Sequence, residues 1–418
     1  MERRKDRILL CLCHMSGQEQ KYVQEAFDTN WVVPLGPNVN GFEKDLETFI
    51  GRDKRVVALS SGTAAVHLAL LNCGVGPGDE VLVQSFTFCA SSHPITYLGA
   101  TPVFIDSEKD TWNMDPELLE EAIKDRMART GKKPKAIVPV ALYGMPYKID
   151  RIMEIANCYG IPVVEDAAEG FGSKFKGQVL GSFGKYGVLS FNGNKMITTS
   201  GGGALITPDD REWREIMMYA TQYRESYPYY QHEKIGYNYR MSNICAGIGR
   251  GQMTIADEHI AHHKKVQKMY EELLKDVIGI QVHSQPDTGE YESNYWLCTM
   301  TIDENVRVKG QGNAYKAVVS GAVGGAAGII HAAKSTTTDC QPNDNVEALR
   351  MGLDALNVES RPLWKPMHKQ PVYRNCPAYL NGVSEALFKV GMCLPAGPYV
   401  TEDDVRFIVE AIKELIIR

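Results

Sequence analysis

The sequence predicts an α/β fold with two domains, and three observations lead to this prediction. Between residues 56 and about 206, short β-branched runs alternate with helical patterns. Alternation of this kind is typical of a mostly parallel sheet covered by helices on both faces. The predicted strands are almost entirely apolar, as strands covered on both faces should be. The length of 418 residues exceeds what one compact core usually holds, so we expect a second domain.

The predicted elements follow one another in βα order. The strands are residues 56–60, 80–83, 103–106, 136–142, 162–166, 188–191 and 204–207. The helices between them are residues 63–73, closed by Gly74, a segment that begins at Asp115 with Pro116 in its first position, and residues 150–159, closed by Gly160. Proline at the first position and glycine just after the end are typical helix signals.

Beyond about residue 256 the pattern changes to helices and looser segments. We therefore predict a large domain at 17–255 and a small C-terminal domain at 256–418, with residues 1–16 packing alongside. Thr401 and Asp404 predict the cap of the last helix, which carries one apolar stripe. Residues 304–345 are rich in Ala, Gly, Ser and Thr without a strong period, so we expect an insertion or a flexible connection there.

Composition excludes several classes of protein. Hydrophobic residues make up 44% and charged residues 23%, which is ordinary for a globular chain. The net charge of −6 gives no basic surface for nucleic acid or an anionic membrane. The apolar run in residues 8–13 is short for a signal peptide, and no small-residue cleavage site follows it. Residues 317–333 are uncharged but fall short of a membrane span. We expect a cytoplasmic protein.

The cysteines and histidines predict no metal site. Ten cysteines occur singly in apolar stretches, as in the case of Cys73, Cys89, Cys158 and Cys245, and we expect small core residues in a reducing compartment. Two clusters lack paired-ligand spacing, namely Cys11, Cys13 and His14, and His259, His262 and His263. We expect buried thiols in the first and a solvated helix face in the second.

Three stretches can carry chemistry. Residues 60–63 (SSGT) stand between a strand and a helix, where free N–H groups and the helix dipole suit a phosphate, although the same residues could simply cap the helix. Asp166 ends an apolar strand, where the ligand crevice of an open α/β sheet lies, or it could cap the next turn. Lys195 follows another strand in a loop and is a candidate Schiff-base nucleophile or a solvated turn lysine.

Each stretch alone is a weak signal, but the combination is specific. Pyridoxal phosphate needs a phosphate site, an acid for its ring nitrogen and a lysine, and they occur here in that order. An NAD enzyme would carry Gly-x-Gly-x-x-Gly after its first strand, and that motif is absent. The sequence also lacks Gly-x-x-x-x-Gly-Lys-Ser/Thr, so a P-loop is excluded.

Several motifs closely resemble the DegT/DnrJ/EryC1/StrS sugar aminotransferases. They are 61–68 (SGTAAVHL), 77–81 (PGDEV), 85–88 (SFTF), 142–144 (LYG), 165–169 (EDAAE) and 236–243 (GYNYRMSN). The resemblance runs from residue 14 to the C-terminal helix and is interrupted at 304–345. It implies a fold-type-I, aspartate-aminotransferase-like enzyme with pyridoxal 5′-phosphate as cofactor. The implied architecture is a seven-stranded, mostly parallel sheet in the large domain and a smaller α+β C-terminal domain.

Two stretches resemble a narrower group. Residues 191–203 (FNGNKMITTSGGG) and 360–368 (SRPLWKPMH) are similar to UDP-4-keto-6-deoxy-GlcNAc C4 aminotransferases of bacillosamine-type pathways, which supply bacterial protein glycosylation. This likeness implies transfer of an amino group from L-glutamate to C4 of a UDP-4-keto-6-deoxy-N-acetylhexosamine. The first alternative is C3 or a dTDP-sugar, and an alternative of another class is a non-catalytic regulator that binds the cofactor. A sugar dehydratase of this fold would carry histidine in place of Lys195.

The resemblance also implies a role for each site residue. Lys195 matches the Schiff-base lysine and proton shuttle, and Asp166 matches the acid on the pyridinium nitrogen. Phe88 matches the aromatic residue that stacks on the ring. Gly62, Thr63 and Ser190 match the residues that bind the phosphate. Glu169 matches the residue beside the 3-oxygen of the cofactor. Asn238 matches a residue that reaches the phosphate from the partner subunit. Much of the family has Gln at the position of Glu169, and Asn238 implies a homodimer with shared active sites.

Overall fold

The structure, a computed structural model, describes residues 1–51, 53–313 and 340–417. Within these ranges the helices are α1 (Glu19–Asp28), α2 (Pro37–Ile50), α3 (Gly62–Asn72), α4 (His93–Tyr97), α5 (Pro116–Thr130), α6 (Ile149–Tyr159), α7 (Asp210–Ala220), α8 (Asn243–Met253), α9 (Ala256–Leu274), α10 (Asp344–Ala355), α11 (Val383–Val390) and α12 (Glu402–Leu415). The strands are β1 (Arg55–Leu59), β2 (Glu80–Gln84), β3 (Thr101–Ile105), β4 (Ala136–Val138), β5 (Val164–Asp166), β6 (Lys174–Phe175), β7 (Gln178–Val179), β8 (Tyr186–Ser190), β9 (Gly203–Thr207), β10 (Ile280–Val282), β11 (Tyr291–Glu292), β12 (Cys298–Ile302), β13 (Arg307–Val308), β14 (Arg361–Pro362), β15 (Ala378–Tyr379), β16 (Gly391–Leu394) and β17 (Ile416–Ile417).

Seven strands form the main sheet in the order β1-β9-β8-β5-β4-β2-β3. Two ladders, β1-β9-β8-β5 and β4-β2-β3, are joined by two parallel bridges at β4 and β5, Ile137 to Val163 and Val140 to Asp166. The short β15 extends the sheet beyond β3. Only β9 runs antiparallel to its neighbours in this sheet, and the other pairs are parallel. The prediction of a mostly parallel sheet is confirmed, and the short β15 adds an eighth strand to the seven predicted.

Helices cover both faces of this sheet, because its strands have apolar side chains on both sides. In β1, Val56 and Ala58 enter a core that includes Leu119 of α5, and Val57 and Leu59 enter a different core with α3. Side chains of a strand alternate between the two faces, so one strand serves both cores. Burial of this surface on both faces holds the strand ends in fixed positions at one edge of the sheet.

A second, antiparallel sheet has the order β10-β12-β16-β14 and packs with α9, α10 and α12 around its own core. The capping box of Thr401 and Asp404 starts α12 as the sequence predicts. Ile8 pairs with Val358, so the N-terminal segment contacts this part of the chain. The chain then returns to the main sheet through β15. The domain boundaries stay predictions, and α9 begins at the predicted boundary.

Residues 304–345 are described at both ends. β13 pairs with β17, and α10 starts at Asp344, so each end joins regular structure. Residues 314–339 lie outside the described residues, and so does the uncharged stretch at 317–333. In the ranges that the structure covers, every helix is too short or too polar to span a lipid bilayer.

Several local expectations are wrong. The strand expected at 136–142 ends at Val138, because Pro139 has no N–H for the ladder and the chain turns into a short 3-10 helix. Cys158 is exposed rather than buried.

The predicted solvated face of α9 is also wrong. His259 and His263 are buried and make contacts to backbone carbonyl oxygens, at 3.1 Å to Met196 and 3.1 Å to Tyr295. Among the described residues, His, Cys, Asp and Glu form no cluster suited to a metal ion.

Candidate active site

A cavity of about 370 Å³ lies at the carboxyl edge of the main sheet. The ends of β1, β2, β5 and β8 reach its wall, and α3 begins there. Parallel strands bring their carboxyl ends to one edge, which is why residues distant in sequence meet here. Of the predicted site residues the cavity brings together Gly62, Thr63, Phe88, Asp166, Glu169, Ser190 and Lys195.

The start of α3 forms an anion cradle on this wall. The Ser61 hydroxyl accepts a hydrogen bond from the Ala64 N–H at 3.0 Å, which caps the helix. The N–H groups of Gly62 and Thr63 have no acceptor within the helix, because the first turn lacks preceding carbonyls. The helix dipole adds positive potential at the same point. Thus the N-cap and the phosphate site, alternatives in the sequence, are compatible in the structure.

Glycines allow the backbone to approach closely at this cradle. A Cβ on Gly203 would lie 2.3 Å from the backbone nitrogen of Gly62, and a Cβ on Gly62 would lie 3.1 Å from the Cβ of Ser190. The antiparallel strand β9 therefore runs directly behind the helix start. Its position leaves the Ser190 hydroxyl beside the free N–H groups.

Asp166 is buried at the end of β5 and is held by two donors. Ser91 donates its hydroxyl proton to Oδ2 at 2.6 Å, and the Ala168 N–H donates to Oδ1 at 3.1 Å. Burial raises the pKa of Asp166, whereas these hydrogen bonds and the charge of Lys195 lower it. The carboxylate is thus oriented by its neighbours and faces the cavity.

Lys195 lies between a carboxylate and an aromatic face. Its Nζ is 3.4 Å from Oε1 of Glu169 and 4.0 Å from the centre of the Trp296 ring. The Trp296 indole N–H donates to the carbonyl of Asn194 at 2.6 Å, so the tryptophan also holds the loop that carries the lysine. An ion pair and a cation–π contact together restrict the ammonium group.

Glu169 joins the lysine to the opposite wall. Its Oε2 accepts the Tyr143 N–H at 2.7 Å, and burial raises the pKa of its carboxyl group against the lowering effect of Lys195. The Tyr143 hydroxyl in turn accepts the backbone N–H of Trp364 at 2.8 Å. Trp364 faces Phe88 with the ring centres 5.2 Å apart, which leaves an aromatic wall over the strand ends.

Asn238 stands apart from these residues. It is exposed and is absent from the lining of the cavity. Its neighbours Tyr237 and Tyr239 stack on each other, with ring centres 5.0 Å apart. The structure of one chain therefore does not bring Asn238 to the other predicted site residues.

Sequence reasoning missed three residues of this site. Ser91, Trp296 and Trp364 all line the cavity, and the latter two come from beyond residue 256. Ser91 gave a signal, since it lies in a hydroxyl-bearing stretch that follows β2 and contains Phe88. Trp364 lies inside the 360–368 stretch that resembles the narrower group. Trp296 gave none.

The arrangement fits pyridoxal 5′-phosphate. The start of α3, where the glycine-lined backbone leaves free N–H groups, suits its phosphate. The buried carboxylate of Asp166 suits a cationic ring nitrogen, because a buried charge is stable when paired. Lys195 offers the amine, and Phe88 offers an aromatic face of the kind that packs on a ring.

Comparisons with known proteins agree with this arrangement. The model of the DegT/DnrJ/EryC1/StrS aminotransferase family matches residues 14–322 and 326–413. EpsN of Bacillus subtilis (strain 168), whose name provisionally describes a pyridoxal phosphate-dependent aminotransferase, is 41% identical over 98% of this chain and 96% of its own. A GDP-perosamine synthase of Caulobacter vibrioides is 34% identical over 98% and 99%. A UDP-2-acetamido-2-deoxy-3-oxo-D-glucuronate aminotransferase of Pseudomonas aeruginosa is 38% identical over 58% and 65%.

The fold leads to the same family. The crystal structure of a DegT/DnrJ/EryC1/StrS aminotransferase from Brucella abortus superposes with a TM-score of 0.81 at 28% identity, covering 95% of each chain. Enzymes of this family use pyridoxal phosphate and have fold type I. The chain therefore belongs to the DegT/DnrJ/EryC1/StrS aminotransferase family and is a pyridoxal-phosphate-dependent sugar aminotransferase.

Proposed function

We propose that this enzyme moves an amino group from L-glutamate to C4 of a UDP-4-keto-6-deoxy-N-acetylhexosamine, for bacillosamine-type glycan synthesis in the cytoplasm. One observation carries the proposal. The two stretches that resemble C4 aminotransferases, 191–203 and 360–368, meet at the cavity, where Asn194 and Lys195 of the first face Trp364 of the second. Residues of both stretches therefore line the cavity in which the acceptor sugar would react, and this supports the proposal.

The names of two relatives favour other acceptors. The Caulobacter relative is named for a GDP-linked product, and the Pseudomonas relative is named for a 3-oxo UDP-sugar. The second candidate function is therefore the same transfer to a GDP-sugar or to C3. Both candidates use the same lysine and acid, and they differ only in the acceptor.

Lys195 is the centre of the proposed chemistry. When bound, pyridoxal phosphate supplies an electron sink for proton movement at the amine-bearing carbon. Lys195 would hold the cofactor covalently through Nζ, and the same nitrogen would carry the transferred proton. The nearby Glu169 carboxyl, 3.4 Å from Nζ, gives that nitrogen a partner, and the Trp296 ring closes the other side.

The remaining proposed roles follow from position. Asp166, oriented by Ser91, holds the proton on the ring nitrogen, and Phe88 packs on the ring. Gly62, Thr63 and Ser190 bind the phosphate. Glu169 would take up a proton when the cofactor 3-oxygen lies beside it, since two anions there would repel, and burial raises the pKa of its carboxyl group.

We also propose a homodimer in which Asn238 reaches the phosphate of the partner's site. Tyr230 and Ile235, just before Asn238, are 74% and 83% exposed. Large exposed apolar side chains next to a polar candidate ligand are typical of a surface that contacts another protein. A second copy of this chain supplies the missing contact.

The test uses purified enzyme, L-glutamate and a panel of keto sugars linked to UDP, GDP or dTDP, with the ketone at C4 or C3. Glutamate should change the cofactor absorbance, and the UDP-4-keto sugar should reverse that change fastest. Lys195→Ala should show neither change, and borohydride should no longer fix cofactor to that variant. Faster reversal by a GDP-sugar or a 3-keto sugar would support the second candidate instead.

A further inference from the structure

A second chamber of about 660 Å³ borders the catalytic cavity. The two share Asn194, Trp296 and Trp364 as a common wall. Residues 9–12 of the N-terminal segment, Leu363 and Phe388 give the chamber a mostly apolar lining. Apolar cavities of this size with a few polar groups are typical of ligand sites.

The cationic side chains that line the two cavities differ in whether a carboxylate lies at ion-pairing distance. Lys195 has Glu169 at 3.4 Å, and Arg361 has Glu359 at 3.1 Å. Lys365 lines the chamber, and within the described part of the chain no carboxylate lies at ion-pairing distance from its Nζ. Two acids in this part of the chain are engaged elsewhere.

Those two acids are Glu359 and Glu385. Glu359 accepts the Leu10 N–H at 3.1 Å in addition to Arg361. Glu385 contacts Lys369 at 3.2 Å and His368 at 3.1 Å. Both carboxylates therefore already have donors. Glu359 lines the same chamber as Lys365 but is paired with Arg361, so Lys365 is left without a carboxylate partner among the described residues.

A neighbouring donor is also unused. The indole nitrogen of Trp364 is buried and has no acceptor among the described residues. Buried donors in folded proteins nearly always have a partner. Trp364 on the common wall and the adjacent, half-buried Lys365 in the chamber lining are thus two donors that the described protein atoms leave unmatched.

We propose that Lys365 binds an oxyanion of a substrate in this chamber. The inference rests on the proposed function, which offers two sources of that anion: the diphosphate of the nucleotide sugar and the distal carboxylate of the amino donor. The catalytic cavity of about 370 Å³ must take the cofactor and the reacting sugar, so the charged remainder of a substrate extends into the larger chamber.

The test is calorimetric binding to the holoenzyme, with UDP, GDP and dTDP in one arm and L-glutamate in the other. Lys365→Gln should weaken binding in one arm by about 10- to 100-fold, the range for loss of a charge-assisted hydrogen bond. Lys365→Arg should restore most of the affinity, because it keeps the charge. Lys389→Gln is the matched control, since Lys389 is exposed on α11 and lies outside the chamber lining.

Each outcome decides between the sources. Weakened nucleotide binding assigns the diphosphate to Lys365, and weakened glutamate binding assigns the carboxylate. Affinities within twofold of wild type in both arms, or an equal loss in Lys389→Gln, would overturn the proposal. If wild-type enzyme binds no nucleotide, the proposed acceptor class fails, while the glutamate arm still decides on Lys365. Unchanged thermal unfolding of Lys365→Gln shows that the fold is intact.

Discussion

Two neighbouring carboxyl groups on β5 behave differently because they face opposite sides of the sheet. Asp166 lines the catalytic cavity, whereas Glu165 is buried on the other face, where it accepts the Tyr147 hydroxyl at 2.8 Å and the Phe183 N–H at 3.3 Å. Alternation along a strand places one acid at the chemistry and the next in the core. Each of the two carboxyl groups is therefore tested by a separate prediction.

Ser91→Ala should move the acid limb of the kcat/KM profile to higher pH. Ser91 donates to the charged form of Asp166 at 2.6 Å and so lowers its pKa. Loss of this hydrogen bond should raise the pKa of Asp166 by about one unit, since a hydrogen bond to a charged group contributes about 1.5 kcal/mol. Ser92→Ala is the control, because the Ser92 hydroxyl donates to the Cys89 carbonyl instead. An acid limb that does not move would show that Asp166 is not the titrating group.

Glu165→Gln should remove part of the pH dependence of stability. Burial raises the pKa of Glu165 from 4.5 to about 7, so the folded state holds this proton more tightly than the unfolded state. The resulting stability is fully present below pH 4.5 and is lost as the pH rises through about 7. The free energy of unfolding of wild type should therefore fall from pH 4.5 to pH 8 by up to about 3 kcal/mol more than that of the variant.

Chemical denaturation of the two proteins across this pH range measures the difference. Glu121→Gln is the matched control, because Glu121 is exposed on α5. It should keep the wild-type pH dependence. Parallel curves for wild type and Glu165→Gln would mean that the Glu165 carboxyl group is already ionised in the folded protein at low pH.

At the scale of elements, the contact between β9 and the start of α3 shapes the anion cradle. Gly203→Ala would place a Cβ 2.3 Å from the Gly62 nitrogen and 2.4 Å from the Ser61 carbonyl carbon, which are backbone atoms that cannot move aside cheaply. We expect a loss of about 1–3 kcal/mol in the free energy of unfolding, together with weaker binding of pyridoxal phosphate. Gly76→Ala meets no atom within 4 Å, lies outside the cavity lining and should leave both quantities unchanged. Equal cofactor affinity in the two variants would show that the contact with β9 does not shape the anion cradle.

The sequence predicted most elements of the main sheet, because buried strands have a strong apolar pattern and helix caps have specific residues. It predicted the cap at Asp115 and the capping box at Thr401, and both are present. The sequence failed to predict burial where contacts with other elements determine it. The α9 histidines look like a polar helix face in sequence, but His259 is turned inward by its contact with the Met196 carbonyl. Burial of a polar residue depends on a partner that the local pattern does not reveal.

At the scale of the whole molecule, the site is assembled from both parts of the chain. Lys195, Asp166 and the cradle come from the main sheet and could be predicted, since each follows a strand. Trp296 and Trp364 come from beyond α9 and reach the same cavity only through the packing of the second sheet. No spacing in the sequence places Trp296 at 4.0 Å from the Lys195 ammonium. Its position follows from tertiary structure alone.

The proposed homodimer makes the last prediction. If each site takes Lys195 from one chain and Asn238 from the other, Lys195→Ala homodimers should be inactive and Asn238→Ala homodimers should be impaired through weaker phosphate binding. A mixed dimer of the two variants has one site with both defects and one site with neither. After subunit exchange, verified with differently tagged chains, activity at limiting cofactor should rise above that of either parent, up to one wild-type site per heterodimer. Verified heterodimers without this gain would show that Asn238 does not complete the partner's site. The exposed position of Asn238, outside the lining of its own chain's cavity, is the reason to expect the gain.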